Sequence, residues 1–182
     1  GYYLDRLSQL AAASTAPCAL SLAGYDVSKW AVQAAARRNR PVTWLVANSS
    51  RPPFAAGSVD LLLCLFGFPV WDGFKRMLAP GARVLLVDPG PDHLIEVREI
   101  IYPAVTRSGA PSLAQAEAGG YRLEHETTLR FPMTLETPAS IRDLVAMTPH
   151  AYRLSAQGRD ALARRERLDV TGDVVLRVVR LA

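Results

Sequence analysis

Val59-Asp60-Leu61-Leu62-Leu63-Cys64-Leu65-Phe66 is the most apolar stretch of the chain, and its reading decides the fold. A near-continuous apolar run reads as a central strand buried on both faces, the habit of parallel sheets rather than of half-exposed antiparallel ones. Short apolar runs alternate with helix-spaced segments on either side of it. Toward the N-terminus, Val42 to Val46 is a second β-rich run. It follows a predicted helix from Lys29 to Arg38, which Ser28 can cap and which carries Trp30, Ala31, Ala34 and Ala35 on one face. Before that, Cys18 to Tyr25 reads as a buried parallel strand ending at Asp26, and Tyr3 to Ala13 as an amphipathic helix. Toward the C-terminus, Trp71 to Leu78 reads as a short helix stopped by Pro80-Gly81. Arg83 to Val87 is another buried strand, Asp88-Pro89-Gly90-Pro91 a turn, and His93 to Tyr102 a helix ended by Pro103.

The last third changes period. Arg122 to Phe131 alternates, with Leu123, His125, Thr127, Leu129 and Phe131 on one face and Arg122, Glu124, Glu126, Thr128 and Arg130 on the other, which predicts a half-exposed antiparallel strand. His125 then reads as a packed core histidine. Thr137-Pro138 opens a helix carrying Ile141, Leu144 and Val145, a basic stretch runs from Arg159 to Arg167, and Val174 to Leu181 is a final strand. Ala104 to Gly120, rich in small residues, Gly and Pro, reads as the one floppy segment. Alternating strands and helices followed by two antiparallel edge strands describe an α/β fold, an open, mostly parallel sheet with a terminal hairpin-like pair.

Composition bounds the function classes. The chain has 182 residues, the size of one domain on a prior of ~100–200 residues. It is 49% hydrophobic and 21% charged, which argues against disorder. No apolar run approaches the ~18 residues that span a bilayer, so the expectation is a cytoplasmic protein without a membrane partner. The two cysteines, Cys18 and Cys64, stand apart in apolar segments, which excludes a disulfide framework or a Cys-based zinc site within this chain. The net charge of +4 permits a polyanionic partner without requiring one.

Ligands of open parallel sheets bind outside the carboxyl ends of the strands. That rule selects Asp26, the loop Ala47 to Arg51, Leu65 to Phe68, and Asp88 to His93. Asp26 stands where a carboxylate can accept hydrogen bonds from ribose hydroxyls, and equally where a helix cap belongs. Asn48 can recognise an adenine edge or simply form a turn. His93 can meet a ligand carboxylate, act as a base near neutral pH, or be satisfied locally. The three histidines are too scattered to suggest a metal site, and neither a Gly-x-Ser-x-Gly elbow nor a Gly-Lys-Thr/Ser phosphate loop occurs.

Asp26-Val27-Ser28-Lys29, Val46-Ala47-Asn48-Ser49-Ser50-Arg51-Pro52-Pro53-Phe54 and Leu78-Ala79-Pro80-Gly81 resemble class I S-adenosylmethionine-dependent methyltransferases. Pro89-Gly90-Pro91-Asp92-His93-Leu94, Tyr102 and Met147-Thr148-Pro149 narrow the resemblance to the bacterial 23S rRNA (guanine-N1)-methyltransferases, the RlmA-like family, which includes enzymes of tylosin and mycinamicin resistance. It implies a Rossmann-like sheet and S-adenosylmethionine as cofactor. Asp26 would hold the ribose and Asn48 the adenine, with Val27 and Ser49 lining the ring. Leu65 and Phe66 would border the methionine part, and His93 would contact the cofactor. The acceptor would be guanine N1 in a hairpin of large-subunit rRNA. Asp88, Asp92 and His93 are candidate acceptors for the N1 proton. Phe66, Phe68 and Trp71 either stack on an extruded base or pack helices. The Arg159–Arg167 run either tracks phosphates or is a solvated helix face.

The chain departs from that family in two ways. The family's N-terminal zinc-binding module has no counterpart here, so zinc is expected only outside this chain. Of its Asp-x-Gly-x-Gly-type cofactor loop only Gly1-Tyr2-Tyr3 remains, which makes Gly1 the last glycine of that loop and the first strand absent. The expectation is therefore an N-terminally truncated methyltransferase domain over residues 1–182, with room for a homodimer. Its rivals are a small-molecule methyltransferase and a non-catalytic RNA- or cofactor-binding module.

Overall fold

The computed structural model describes residues 1–15 and 20–182. They form two compact units, Gly1–Val59 with Pro69–Ala79, and Asp60–Phe68 with Pro80–Ala182. Among the described residues no helix is long and apolar enough to cross a bilayer.

The first unit contains α1 (Tyr2–Ala13), β1 (Ala23–Asp26), α2 (Lys29–Arg38), β2 (Thr43–Val46) and α3 (Trp71–Met77). β1 and β2 pair in parallel, from Ala23 opposite Thr43 to Asp26 opposite Val46, so their carboxyl ends are neighbours. The predicted strand from Cys18 is shorter than its apolar run, and Cys18 itself lies outside the described residues. Helix α2 keeps its expected bounds, and the Ser28 hydroxyl accepts a hydrogen bond from the Ala31 N–H at 3.3 Å. Its buried stripe is Val32 and Ala35, three residues apart, whereas Trp30 is 71% exposed. Trp30 therefore lies off the packed face that the apolar spacing had given it. Near the other end of α2, buried Asn39 donates to Asp5 at 2.9 Å and its carbonyl accepts the Trp44 indole N–H at 2.8 Å.

Helix α3 packs through Trp71, Phe74 and Met77, with Gly73 between them. A β-carbon built on Gly73 would stand 1.7 Å from the Ser49 carbonyl oxygen. A glycine inside a helix is unfavourable unless something must come this close. Here that something is the loop after β2.

In the second unit β3 (Val59–Leu65), β4 (Leu78–Pro89), β6 (Leu168–Leu181) and β5 (Tyr121–Leu135) lie side by side in that order. β6 runs antiparallel to both β4 and β5. The run expected to be a central strand is thus a terminal one, and the expected pair of edge strands places β6 inside the sheet and only β5 at its margin. Nor is β3 buried on both faces, since Leu62 alone is buried and Leu61 is 52% exposed; its apolar continuity predicted neither its burial nor its lateral position. The expected turn at Asp88-Pro89 is instead the end of the long strand β4.

Helices α4 (Ile95–Ile101), α5 (Ala114–Ala118), α6 (Pro138–Ala146) and α7 (Ala156–Ala163), with a 3₁₀ turn at Pro149–Arg153, complete the unit. Thr137 caps α6 in a reciprocal box with Ser140. Leu94, Val97 and Ile101 join Ile141, Val145, Leu162, Leu168 and Val170 in one core, against which Met133 and Leu135 also pack. β5 is covered at its two ends, there and at buried Tyr121, and open between them. Leu129 and Phe131 are 51% and 37% exposed, and His125 is exposed rather than the core histidine the alternation suggested. Alternation identifies two faces; it does not say which one another element covers.

The segment expected to be floppy holds α5 and is strapped by arginines before it. Arg98 donates to the Thr106 carbonyl, Arg107 to Asp92 at 2.7 Å, and Arg177 to the Pro111 carbonyl at 2.6 Å.

Candidate functional site

In the first unit the strand ends present a carboxylate on an apolar shelf. Asp26 is exposed at the end of β1, with Val27, Trp30 and Val46 exposed at 72%, 71% and 58%. One Asp26 oxygen, Oδ1, accepts the Ser28 N–H at 2.8 Å. A carboxylate has about four acceptor sites, so local capping leaves room for a diol. Exposed apolar side chains beside a free carboxylate oxygen suit a nucleoside, whose base is apolar and whose ribose donates hydrogen bonds.

Asn48 resolves differently. Its Oδ1 accepts the Ser50 N–H at 3.1 Å, the Ser50 hydroxyl at 2.6 Å and the Arg51 N–H at 3.1 Å. The carbonyl expected to meet an adenine amino group is saturated by its own turn, and only Nδ2 remains to donate. Ser49 lies beside it, its hydroxyl 3.2 Å from the Tyr25 hydroxyl. Gly1 caps α1, its carbonyl accepting the Asp5 N–H at 3.1 Å. Trp71, proposed from sequence as a base platform, is buried edge-on against Phe74 at 5.9 Å, so its ring is a core element of α3.

In the second unit the turn Pro89-Gly90-Pro91-Asp92-His93-Leu94 wraps one buried carboxylate. Asp173 is 3% exposed; its Oδ2 accepts the Asp92 N–H at 2.9 Å, its carbonyl accepts the Gly90 N–H at 2.8 Å, and its own N–H reaches His93 Nδ1 at 3.3 Å. A β-carbon on Gly90 would lie 2.5 Å from that carboxylate, which explains the glycine of this motif. With Nδ1 accepting, the neutral His93 ring carries its proton on Nε2.

The His93 ring stacks on Phe66 with centroids 5.6 Å apart and planes at 28°. Phe66 and Leu94, which flank this stack, both adopt left-handed φ values, 52° and 51°. Such conformations cost about 1 kcal/mol or more each in non-glycine residues and persist where neighbours hold them. Here the Phe66 N–H is fixed on the Val87 carbonyl and the Leu94 N–H on the Thr171 carbonyl, both at 2.8 Å. Leu65 ends β3 just before Phe66, half-buried, and Phe68 is 93% exposed.

The two aspartates of this rim have opposite chemistry. Hydrogen bonds from Arg107 and then Arg130 hold the Asp92 carboxyl below its usual range. A doubly paired carboxylate is a poor base, which removes Asp92 from the proton acceptors expected from sequence. Burial pushes Asp88 up, against the opposing charge of Arg177 at 3.9 Å. Arg177, itself buried, also donates to Glu126 at 2.8 Å. The Cys64 thiol is pushed up to about 11, first by burial and then by Asp88, so it is no nucleophile at neutral pH.

Burial also lowers His93, against the raising effect of Asp173. Protonation would turn Nδ1 into a donor facing the Asp173 N–H. Above pH ~6.5 both folded and unfolded chains hold this histidine neutral; below it the unfolded chain takes the proton first, so stability falls with pH until the folded value is passed. The His93 ring resonances in an NMR titration are expected to show a midpoint below 6.5, with thermal stability declining over the same interval. A midpoint at or above 6.5 contradicts this account.

Asp173, Arg177 and Gly73 were not visible as site residues in the sequence, and Phe66 was expected at the site without its left-handed backbone. The one signal for them was Gly73 inside a helix-spaced segment; the left-handed Phe66 and the buried Asp173 and Arg177 depend on residues remote in the chain.

Residues 7–88 match the family described as "Methyltransferase domain". The chain is 29% identical over 153 residues to a Bacillus subtilis (strain 168) protein named "Putative 23S rRNA (guanine-N(1)-)-methyltransferase YxjB", covering 83% of this chain and 54% of that protein. It thus spans about half the length of the relative it matches. Among solved structures, a Bacillus halodurans C-125 protein described as a "putative methyltransferase" superposes with a TM-score of 0.56 at 17% identity, covering 99% of both chains. A geranyl diphosphate methyltransferase in complex with S-adenosylmethionine superposes with a TM-score of 0.54 at 16% identity, over 96% of this chain and 73% of that one. These structural likenesses establish the α/β, Rossmann-like methyltransferase fold. The domain match supports an S-adenosylmethionine-dependent methyltransferase, and the chain resembles the guanine-N1 rRNA family.

Proposed function

We propose that this chain is the methyl-transferring part of an enzyme that modifies N1 of a guanine in a hairpin of large-subunit rRNA. The observation that carries the methyltransferase reading is Asp26: an exposed carboxylate at the end of β1, on an apolar shelf, with acceptor capacity beyond its local cap. The rRNA target is supported by the resemblance to the B. subtilis relative and by the Pro89–Leu94 motif.

In this reading Asp26 accepts the ribose hydroxyls, Val27 and Ser49 line the adenine, and Asn48 donates through Nδ2. Leu65 and Phe66 border the methionine part, and His93 offers its Nε2–H to the ligand's carboxylate. S-adenosylmethionine, when bound, supplies an electrophilic methyl group on a sulfonium. The remaining work of the chain is alignment and removal of one proton, because guanine N1 is protonated at neutral pH. Asp88 suits the second task better than Asp92, since burial makes it the stronger base. Phe68, almost fully exposed, is the ring left for stacking an unpaired base.

The test is transfer of a labelled methyl group from S-adenosylmethionine to a large-subunit rRNA hairpin by the full-length protein, with the product nucleoside identified by mass spectrometry. Label at guanine N1 is the expected result. No transfer to any rRNA hairpin, despite cofactor binding, rejects the target.

A further inference from the structure

The stretch between β5 and β6 carries features that the cofactor reading does not use. The 3₁₀ turn is anchored from both sides. Ala151 and Leu154 pack against the core of the second unit, and His150 Nδ1 lies 2.9 Å from the Tyr102 hydroxyl, the two rings meeting edge-on. The residues between those anchors point the other way. Tyr152 is 94% exposed, and Met147, just before the turn, is 83% exposed. An aromatic ring held out by a fixed turn pays little further conformational entropy when it stacks on a ligand.

The same stretch is rich in arginine. Arg83, Arg107, Arg130, Arg177 and Arg180, on and beside the sheet, all form ion pairs, and so does Arg167. Arg142, Arg153, Arg159, Arg164 and Arg165 make no ion pair among the described residues, like Arg98 and Arg122 elsewhere in the unit, although Asp143, Asp160 and Glu166 lie close in sequence. Arg153 adjoins Tyr152 directly, and Arg159 lies on α7.

An exposed ring on a stretch whose arginines stand outside ion pairs matches the chemistry of single-stranded nucleic acid, with a π-face for a base and guanidinium groups for phosphates. We propose that the α6–α7 stretch docks a single-stranded segment of the RNA substrate, with Tyr152 as a base-stacking platform and Arg153 and Arg159 as phosphate contacts. This rests on the rRNA reading above.

The experiment measures fluorescence anisotropy of a fluorescein-labelled large-subunit rRNA hairpin and of labelled oligouridylate, across a salt series. The proteins are the wild-type chain, Tyr152→Ala, Tyr152→Phe and the double variant Arg153→Ala/Arg159→Ala. Tyr152→Ala is expected to weaken binding of both probes roughly 5- to 100-fold, while Tyr152→Phe keeps the affinity. The double variant is expected to flatten the dependence of log affinity on log salt by about 0.7 per lost phosphate contact. S-adenosylmethionine affinity and thermal stability are expected to be unchanged in all variants. Wild-type affinity and salt slope in Tyr152→Ala and the double variant overturn the docking surface, even where the wild-type chain methylates the hairpin, and leave the patch to a protein partner. A wild-type chain that binds S-adenosylmethionine but neither RNA overturns the surface and the rRNA reading together.

Discussion

Gly73→Ala is expected to lower the stability of the protein by about 3 kcal/mol or more, although alanine is ordinarily the better helix residue by about 1 kcal/mol. The new methyl group would stand 1.7 Å from the Ser49 carbonyl oxygen, well inside contact distance, and neither backbone can yield without moving an element. Either α3 lifts, exposing Phe74 and Met77, or the loop after β2 shifts and the Asn48 turn with it. For a chain of this size the loss corresponds to a fall of roughly 6–12 °C in the unfolding midpoint. Calorimetry checks the first effect and titration with S-adenosylmethionine the second. A variant as stable as the wild type, with unchanged cofactor affinity, would show that the close approach of α3 and the loop is not real.

The other large effect concerns the cofactor. On the proposed function, Asp26→Ala removes a charged acceptor of two ribose hydroxyls, each such bond contributing about 1.5–3 kcal/mol, so affinity for S-adenosylmethionine is expected to drop about 100-fold or more. Asp26 also accepts the Ser28 N–H, so the capping and binding roles must be separated. Asp26→Asn retains an acceptor for that N–H while losing the charge, and is expected to fold like the wild type and bind roughly tenfold more weakly. Isothermal titration of both variants, beside their melting curves, distinguishes the roles. Wild-type affinity in Asp26→Ala would leave this residue with a structural role only.

How much of this was legible in the sequence depended on how local each feature is. Helix α2 and its Ser28 cap, the Thr137 opening of α6 and the antiparallel partner strands β5 and β6 follow from spacing and capping residues within a few positions. The place of β3 at the sheet margin, the exposed apolar face of β5 and the burial of Trp71 are settled by what packs alongside, which no local pattern contains. The site divides the same way. Asp26 is identified by its place at a strand end, and the Asn48 turn by its neighbours Ser49 and Ser50. The weakness of Asp92 as a base is set by Arg107 and Arg130, and the tautomer of His93 by Asp173. Those partners are 15, 38 and 80 residues away in the chain.

β5 has a consequence for how the protein behaves at high concentration. It is a 15-residue margin strand with Leu129 and Phe131 open to solvent, the kind of edge on which a foreign strand could grow a sheet. Two devices interrupt it. Pro132, with no N–H to offer, breaks the row of donors beside Phe131, and the irregularity between Leu123 and His125 twists the other end. Along it, Arg122, Glu124, Glu126 and Arg130 keep charge on the strand. The length of β5 serves its long partnership with β6, while these interruptions shorten the stretch open to misassembly, and Pro132→Val is expected to raise aggregation at high protein concentration, as light scattering would show.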